Sequence, residues 1–316
     1  MNGSRMKARP RARFVLVLLA LATTLAIGCG SDDSKAPSGD QGSTASTAPA
    51  SDASGKVVQA VADLVPDDVK AEGKIDNAIY NDAAPQMFLE GGKLVGIQPD
   101  FAAAVSAVMG IEFNTVPVGS FDSIIPGLQG GRYDIAFSDF GITAEREKVV
   151  DLVVQFDLGT GFASKKGSGT TVAQASDLCG LRLGTLTGSY FLDQAKALSE
   201  QCRADGAEPI AIQAFPTQST AVLAVTNGRT DLYASSSDQI AYVAKKEGAG
   251  VEAQSFAYEP IPQGIGLPES SPLGPAVQAA VRELIANGTY DEILAEWGLE
   301  SSAVPAERIE IDPSVS

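Results

Sequence analysis

An alternation of apolar runs with amphipathic stretches occurs twice along this chain and restricts the folds that it can adopt. The segment "FDSIIPGLQGGRYDIAF" predicts a helix, a glycine stop and a strand, and "TQSTAVLAVTNGRTDLYAS" predicts the same order again. Strands that alternate with helices are typical of a mostly parallel sheet covered by helices. Because "LQGGRYDIAFSD" and "VTNGRTDLYASS" share a Gly-Arg pair, an aspartate and a strand followed by small polar residues, the sequence predicts two similar α/β lobes.

Other segments extend this pattern in both directions. "KIDNAIY" predicts a first strand, "MFLEGGKLVGI" a hairpin that turns at Gly91 and Gly92, and "IEFNTVPV" a further strand. A helix is expected from Pro99 to Met109. In the second half, "LRLGTLTGSYFLDQAKAL" predicts a strand, a turn at Gly188 and a helix, and the chain ends with two helices separated at Gly288.

Composition excludes several kinds of function. The chain of 316 residues has no histidine, which excludes imidazole general bases, histidine triads and most zinc sites. Its 39 acidic residues exceed its 23 basic residues, and the resulting net charge of -16 repels nucleic acid and anionic lipid. We expect no nucleic-acid partner, no metal and no cofactor, and we expect a monomer.

The first 28 residues have the pattern of an export signal. Basic residues between positions 5 and 13 precede an apolar stretch, residues 14–27, that is short for a membrane span. The stretch ends in "LAIGCGSDD", which resembles a bacterial lipoprotein cleavage box, although Ala26 stands where leucine is usual. The prediction is cleavage before Cys29 and lipidation of that cysteine. Ordinary secretion with cleavage nearby is the alternative.

Residues 29–64 are predicted to form a flexible tether. From Gly30 to Gly55 the chain consists almost entirely of small and polar residues, which cannot bury a core. Lipid on Cys29 would hold the folded part at the outer face of the cell membrane.

Cys179 and Cys202 are the two cysteines left after Cys29. In an exported chain the oxidising surroundings favour a disulfide between them, which would stabilise the fold by roughly 3 kcal/mol in the chain-entropy model. The alternative is two buried free thiols. Two cysteines without histidine make a poor metal site.

The order of several segments resembles a known family. "GIQPDFAAAVSAVMGIEFNTVPVGSFDSIIPGLQGGRYDIAFSDFGITAEREKVVDL" is similar to the first lobe of the family 3 bacterial extracellular solute-binding proteins, the receptors of polar amino-acid ABC importers. "DLCGLRLGTLTGSYFLDQ", "GRTDLYASSSDQIAYVAKK" and "GIGLPESSPLGPAVQAAVRELIANGTYDEILAEWGL" continue the resemblance in order, so that it covers about residues 65–299. "DLCG" with a later cysteine also resembles a branch of the family in which that pair is a disulfide.

The resemblance implies an α/β fold of the periplasmic-binding-protein type II class, in which two α/β lobes are joined by two crossing strands around a ligand cleft. The first lobe would comprise residues 65–160 and 263–316, and the second lobe residues 161–262. The crossings are expected near "DLGTGFAS" and "YEPIPQGIG". Ligands of such sheets bind beyond the carboxyl ends of the strands, where "SDFGITAER" is expected to lie.

Arg146 stands in an unfavourable place unless it binds an anion. The apolar run before it is expected to end at Gly141, and Thr143 to cap a helix from Ala144, whose electropositive N-terminus disfavours an arginine. In the family the matching arginine binds the ligand's carboxylate with charge-assisted hydrogen bonds, so the resemblance implies this role for Arg146. From the residues alone, the alternative is a surface arginine paired with the glutamate on either side.

The resemblance assigns further residues to the cleft. Ser189 and Tyr190, with the glycine before them, match a second anion contact that offers backbone N–H groups from the other lobe. The alternative for them is an ordinary helix start. Phe121 matches an aromatic or apolar wall, although core packing would explain it nearly as well. Tyr80, at the end of the first strand, and Ser138, after the apolar run, complete this side of the predicted ligand set.

Several positions depart from the family pattern around the ligand's ammonium group. Gly141 stands where threonine or serine is usual, Ser236 where an acidic residue is usual, and Ala83 where an aromatic residue usually precedes the Ala-Pro pair. Asp139, in contrast, replaces a small residue. We expect the carboxylate half of an amino-acid site to be present and the ammonium half to be rebuilt.

Asp139 and Asp82 are the candidates for holding a cationic group. An aspartate near Arg146 requires a cationic partner or pairs with Arg146 itself. The hypothesis is a ligand with a carboxylate or similar anion, whose cationic group is held by Asp139 or Asp82. A cap or a salt bridge with Arg146 is the alternative for Asp139, and it leaves a site for a smaller or uncharged solute. Whether Asp238 reaches the cleft is open.

The sequence favours an extracytoplasmic, lipid-anchored receptor rather than an enzyme. It would bind a small polar solute, an amino acid or related carboxylate, and deliver it to an ABC permease in the cytoplasmic membrane. One alternative is an enzyme of the same fold, similar to dehydratases of cyclic carboxylates, with Asp139 as the acid. The other is a sensor that presents its ligand to a membrane kinase.

Overall fold

The computed structural model describes residues 56–246, 248 and 250–313. The predictions of an export signal, of lipidation at Cys29 and of most of the tether lie outside these residues. Within the described part of the chain, every helix is too short or too polar to traverse a bilayer.

The chain up to residue 158 forms most of a first sheet and several of the helices that pack on it. Its elements are α1 Gln59–Ala62, α2 Asp67–Glu72, β1 Lys74–Tyr80, β2 Asp82–Ala83, β3 Met87–Glu90, β4 Lys93–Val95, α3 Ile97–Met109, β5 Glu112–Val118, α4 Ile124–Gln129, β6 Ile135–Gly141 and β7 Val150–Leu158. The hairpin of β3 and β4 turns at Gly91 and Gly92, as predicted. α3 begins slightly before the predicted Pro99 and ends at Met109, as predicted, because the left-handed backbone of Gly110 (φ +68°) stops the helix.

The following residues form a second sheet, and the chain then returns to the first. The elements of the second sheet and its helices are β8 Thr160–Lys165, β9 Arg182–Leu186, α5 Tyr190–Ala204, β10 Ala211–Phe215, α6 Gln218–Thr226, β11 Leu232–Ser236, α7 Ser237–Lys245 and β12 Val251–Ala257. The returning segment comprises β13 Ile261–Pro268, α8 Gly274–Asn287 and α9 Thr289–Trp297.

The two five-stranded sheets have the same topology. The strand order is β5-β1-β6-β13-β7 in the first sheet and β10-β9-β11-β8-β12 in the second. In each sheet one strand, β13 or β8, runs against its neighbours, and it is the strand that the chain enters from the other sheet. The prediction of mostly parallel strands in two α/β lobes is therefore confirmed.

The two similar sequence segments form matching structures. In each, a helix (α4 or α6) is followed by a turn, an aspartate and a strand (β6 or β11). Asp134 accepts a hydrogen bond from the N–H of Asp76 (2.8 Å), and Asp231 accepts one from the N–H of Arg182 (2.9 Å). Each aspartate thus ties the start of its own strand to the start of the strand beside it, which explains why both segments carry it.

Two short connections join the sheets, and they touch each other. The first runs through Gly159 and the second through residues 258–260. The N–H of Tyr258 donates to the carbonyl oxygen of Thr160 (2.9 Å), and Leu158 pairs with Ile261. A Cβ atom on Gly159 would lie only 2.4 Å from the carbonyl oxygen of Tyr258, so this close approach requires glycine.

Cys179 and Cys202 form a disulfide, which confirms the predicted pairing over two free thiols. Cys202 lies on α5 and is buried in the core of the second sheet beside Leu178 and Leu183. This core is smaller than that of the first sheet, so a covalent link here supports the part of the molecule with less apolar burial.

The segment around Arg146 differs from its prediction. β6 ends at Gly141, as predicted, and it includes Asp139. The predicted helix from Ala144 does not form, because residues 144–149 make a succession of turns. Thr143 does accept a hydrogen bond from the N–H of Arg146 (3.3 Å), so the capping contact exists without a helix behind it.

Candidate functional site

A small cavity at Arg146 lies between the carboxyl-terminal ends of strands from both sheets. Its volume is about 20 Å³, and we call it the Arg146 cavity. Several of the predicted ligand residues line it: Tyr80, Phe121, Ser138, Asp139, Ser189 and Tyr190. A cavity of this size holds about one water, so an amino acid can enter only if the two halves move apart.

Arg146 joins the two halves across this cavity. Its Nη1 donates to the carbonyl oxygen of Gly141 (2.7 Å) and its Nη2 to that of Gly188 (2.9 Å), on the opposite side. The residue is 8% exposed, so the alternative of a surface arginine is wrong. None of the ion pairs between described residues includes Arg146.

Burial weakens the hold of Arg146 on its proton. Desolvation lowers its pKa to about 10, while the negative charges of Asp193 and Asp139 act in the opposite direction. The guanidinium therefore stays charged at neutral pH. A buried cation bound only by neutral carbonyl groups is well suited to an anionic partner.

Asp139 lies in the same cavity with an unusual backbone and an unpaired oxygen. Its φ is +56°, a conformation that aspartate and asparagine adopt more readily than most residues. Its Oδ1 is buried without a hydrogen-bond partner among the described residues, and no described ion pair joins it to Arg146. Burial raises the pKa of Asp139 well above its ordinary value, the charge of Asp238 raises it further, and Arg146 lowers it.

Asp238, which the sequence could not place, lies at the cleft. It occupies the first turn of α7, and its Oδ2 accepts a hydrogen bond from Nε2 of Gln86 (2.8 Å), which comes from the other half. Burial raises the pKa of Asp238, while the hydrogen bond from Gln86 lowers it. Asp238 and Asp139 therefore face the cleft from opposite halves and repel each other.

Tyr190 explains the glycine at position 141. A Cβ atom on Gly141 would lie 2.3 Å from Cδ1 of Tyr190, so the ring occupies the space that a threonine or serine side chain needs. The hydroxyl of Tyr190 accepts a hydrogen bond from Thr160 (3.3 Å). Position 141 thus lacks the threonine or serine that is usual in the family, and the Tyr190 side chain from the second half fills that space.

The polar groups of Ser138 and Ser189 are already engaged within their own halves. The Ser138 hydroxyl accepts from the N–H of Tyr80 (3.1 Å) and donates to the carbonyl oxygen of Ala78 (3.2 Å). The Ser189 hydroxyl donates to the carbonyl oxygen of Leu186 (2.7 Å), and its N–H bonds to the same oxygen. Both serines line the cavity, but in this arrangement they stabilise the strand ends.

Phe121 and Tyr80 form one wall of the cavity. Their rings meet edge to face with centroids 5.7 Å apart, and Phe121 also packs on Phe140 (5.3 Å). Phe121 therefore fills both of the roles considered for it, as cavity lining and as core. The N–H of Gln218 donates to the Tyr80 hydroxyl (3.4 Å), which ties this wall to α6 of the other half.

Asp82 and Ser236 do not line the Arg146 cavity. Asp82 borders a separate cavity of about 260 Å³, which we call the Asp82 cavity. Its two carboxylate oxygens accept hydrogen bonds from the N–H (3.1 Å) and the hydroxyl of Ser219 in the other half. Ser236 is buried directly before α7 and lines neither cavity.

The sequence did not identify three buried glutamines around the site. Gln86 bonds Asp238, and Gln218 donates to Oε1 of Gln239 (2.6 Å). Gln218 and Gln239 lie in the first turns of α6 and α7, directly after β10 and β11. The rule that ligands bind beyond the carboxyl ends of such strands would have pointed to both residues. Among the described residues no group of acidic and cysteine side chains is arranged to hold a metal ion.

Comparison with known proteins agrees with this architecture. Residues 75–300 match the model of the bacterial extracellular solute-binding proteins, family 3. The arginine-binding protein ArgT of Corynebacterium glutamicum is 32% identical over 223 residues, which cover 70% of this chain and 73% of that protein.

Solved structures show the same likeness. An ancestral arginine-binding protein bound to glutamine is 29% identical with a TM-score of 0.65, and the match covers 72% of this chain and 99% of that one. The structure of an ancestral arginine-binding protein bound to arginine matches with a TM-score of 0.64 at 29% identity, over 71% of this chain and 98% of that one. The ancestral amino acid-binding protein AncCDT-1, described as a precursor of cyclohexadienyl dehydratase, is 26% identical with a TM-score of 0.63, over 73% of this chain and 98% of that one.

Proposed function

Because this chain belongs to the bacterial extracellular solute-binding proteins of family 3, we propose that it captures a cationic amino acid and delivers it to the permease of an ABC importer. Arg146 carries this proposal. Its guanidinium is buried between the two halves and bonds only neutral carbonyl oxygens among the described residues. The α-carboxylate of an amino acid would replace these carbonyls with a charge-assisted, bidentate pair.

Asp139 and Asp238 are the proposed partners of the ligand's α-ammonium group. They approach the cleft from opposite halves, and burial together with their mutual repulsion raises the pKa of Asp139. An ammonium group between them would relieve that repulsion and bond the unpaired Oδ1 of Asp139. This would restore the ammonium half of the site with residues other than Gly141 and Ser236.

The charge of the site supports a cationic ligand. Arg146 contributes one positive charge, and Asp139 and Asp238 contribute two negative charges when ionised. A ligand of net charge +1, such as arginine or lysine, would balance the charge of these three residues, whereas a neutral amino acid would leave one of their negative charges uncompensated. The arginine-binding relatives of this chain support the same choice.

Transport rather than catalysis is the proposed role. Closure of two lobes around a solute requires only that the ligand bind the closed form more tightly. An enzymatic role has one observation in its favour, which is the raised pKa of Asp139, because a protonated carboxyl could act as an acid. A turnover assay on cyclic carboxylates with wild-type protein and Asp139→Asn separates these roles, since only an enzyme would yield product.

Lipid anchoring through Cys29 is part of the proposal. The cleavage box at "LAIGCGSDD" and the tether after it support attachment to the outer face of the membrane. Labelling with a radioactive fatty acid should mark the wild-type protein and leave Cys29→Ala unmarked. Equal labelling of both proteins would contradict the assignment.

Calorimetric titration of the purified protein with arginine, lysine, glutamine and glutamate tests the ligand proposal. Arginine and lysine should bind more tightly than glutamine, and glutamate should bind most weakly. Arg146→Gln should weaken arginine binding by 2–5 kcal/mol, or roughly thirtyfold or more, because it truncates a buried ion pair. Arg132→Gln is the matched control, since it makes the same change at an exposed arginine. Equal binding by Arg146→Gln and wild type would overturn the site assignment.

A further inference from the structure

The Asp82 cavity adjoins the Arg146 cavity, and the two share three lining residues. These are Ala83, Gln218 and Gln239. The Arg146 cavity is tight in this arrangement, with about 20 Å³, whereas the Asp82 cavity has about 260 Å³. Room for a bulky part of a ligand therefore lies beside Arg146 and beyond these three residues.

Ala83 is the smallest of the three side chains at the boundary between the two cavities. It is a small residue on β2, buried at the boundary of both spaces, and it stands where the family usually has an aromatic side chain. A large side chain projecting from this position would fill part of the shared boundary. With alanine at position 83, this part of the boundary is not filled by a large side chain.

The Asp82 cavity has walls that suit a flexible aliphatic chain. Val222 of α6 and Val243 of α7 contribute apolar surface, and Tyr233 and Tyr242 contribute aromatic rings. Such surfaces bury methylene groups without hydrogen bonds. The polar groups near the boundary are the amides of Gln218 and Gln239, which already bond each other.

Asp82 supplies negative charge beside the boundary. Each of its oxygens accepts one hydrogen bond from Ser219, and a carboxylate has about four acceptor positions, so two remain. Its charge also acts on the hydroxyls of Tyr80 and Tyr233, whose pKa values are raised first by burial and further by Asp82. Tyr80 lines the Arg146 cavity and Tyr233 the Asp82 cavity, so Asp82 lies near both.

Lys246 also lines the Asp82 cavity, but it is exposed, whereas Asp82 is half-buried and adjoins Ala83 in the chain. Asp82 is the one acidic residue among the described residues that line this cavity. We propose that the Asp82 cavity is a side-chain subsite, which takes the long aliphatic stem of an amino acid and binds its terminal guanidinium or ammonium at Asp82. This inference rests on the proposed function, because it places the α-groups of the same ligand at Arg146 and Asp139.

Arginine and citrulline test the charge at Asp82, since they have the same length and differ in the charge of the end group. Wild-type protein should bind arginine about tenfold or more tightly than citrulline, as expected for a hydrogen-bonded charge pair. Asp82→Asn should reduce this ratio to near one, mainly by weakening arginine binding. Ser219→Ala is the matched control, because it removes a contact across the cleft and keeps the carboxylate. It should change both affinities alike and preserve the ratio.

Ala83→Leu tests the path independently of charge. Lysine and its shorter homologue 2,3-diaminopropionate carry the same α-groups, so the leucine should weaken lysine binding at least tenfold and the short ligand less than threefold. Thermal unfolding confirms that each variant is folded. An unchanged arginine-to-citrulline ratio in Asp82→Asn, or equal losses for the two ligands in Ala83→Leu, would overturn the subsite and leave the proposed function standing. Failure of wild-type protein to bind any of the four ligands would overturn both.

Discussion

Replacing Asp139 with asparagine should stabilise the protein and weaken its binding of ligand. The carboxylate is buried with an unpaired Oδ1, and the charge of Asp238 repels it. Asparagine tolerates the left-handed backbone at φ +56° and removes the charge. Asparagine still leaves a buried polar group without a partner, but it removes the buried charge, whose desolvation costs more than that of a neutral group. We therefore expect the free energy of unfolding without added amino acid to rise by about 1 kcal/mol or more.

Differential scanning fluorimetry measures both effects in one experiment. For a body of this size, 1 kcal/mol corresponds to about 2–4 °C, so Asp139→Asn should melt at least about 2 °C above wild type in buffer alone. With saturating arginine the order should reverse, because wild type gains stability from the ligand and the variant gains little.

Asp139→Ala serves as the control for the backbone. It removes the same charge but places alanine at positive φ, so part of the stabilisation should be lost to strain. A variant Asp139→Asn that melts below wild type in buffer and keeps the full arginine-induced shift would refute the reasoning, because the carboxylate would then be satisfied by the fold and unused by the ligand.

Three further predictions follow from the pKa of Asp139, the disulfide and the contact at Gly141. Burial, and then Asp238, raise the pKa of Asp139, so the native protein retains a proton that the unfolded chain loses near pH 4. The stability advantage of Asp139→Asn should therefore grow as the pH rises from about 4 toward the native pKa, and a constant advantage across this range of melting curves would be contrary evidence. Replacing Cys179 and Cys202 together with serine opens a loop with a sequence separation of 23 and should lower the unfolding free energy by about 3 kcal/mol in urea titrations, whereas an unchanged midpoint would contradict it. Gly141→Ala should weaken arginine binding in calorimetry by displacing the ring of Tyr190, and Tyr190→Ala in the same chain should restore part of the loss; without such a rescue, the two residues are not coupled.

Much of the fold could be predicted from the sequence because its elements are marked locally. Glycines end the helices, apolar runs form buried strands, and the repeated aspartates at 134 and 231 mark the starts of matching strands. The turns at 144–149 are the exception. The signals for a helix start were present there, with Thr143 in place, but the segment has to return the chain from β6 to β7. A long-range requirement of this kind leaves no local mark.

The carboxylate half of the site, at Arg146, could be predicted more fully than the ammonium half, at Asp139 and Asp238. Arg146 is conspicuous in the sequence because it follows Thr143 at a predicted helix start, although no helix forms there. The position of Asp238, in contrast, depends on contacts between segments that are far apart in the chain. Gln86 and Asp238 are separated by 152 residues, and their hydrogen bond exists only when both halves are folded and adjacent. The ring of Tyr190 occupies the space beside Gly141 that a larger side chain would need. This contact joins the two halves, so it likewise could not be predicted from either segment alone.

The contact between the two connections at Gly159 has a mechanical consequence. Two separate connections would let the halves twist and slide independently. Two connections that are hydrogen-bonded to each other move together as one two-stranded ribbon. Such a ribbon bends more easily about the line across its width than it twists, so we expect the two halves to open and close mainly by one hinge motion. A side chain at position 159 would push the two connections apart. We expect it to change the rate and the path of this hinge motion and to leave the ligand-binding residues unchanged.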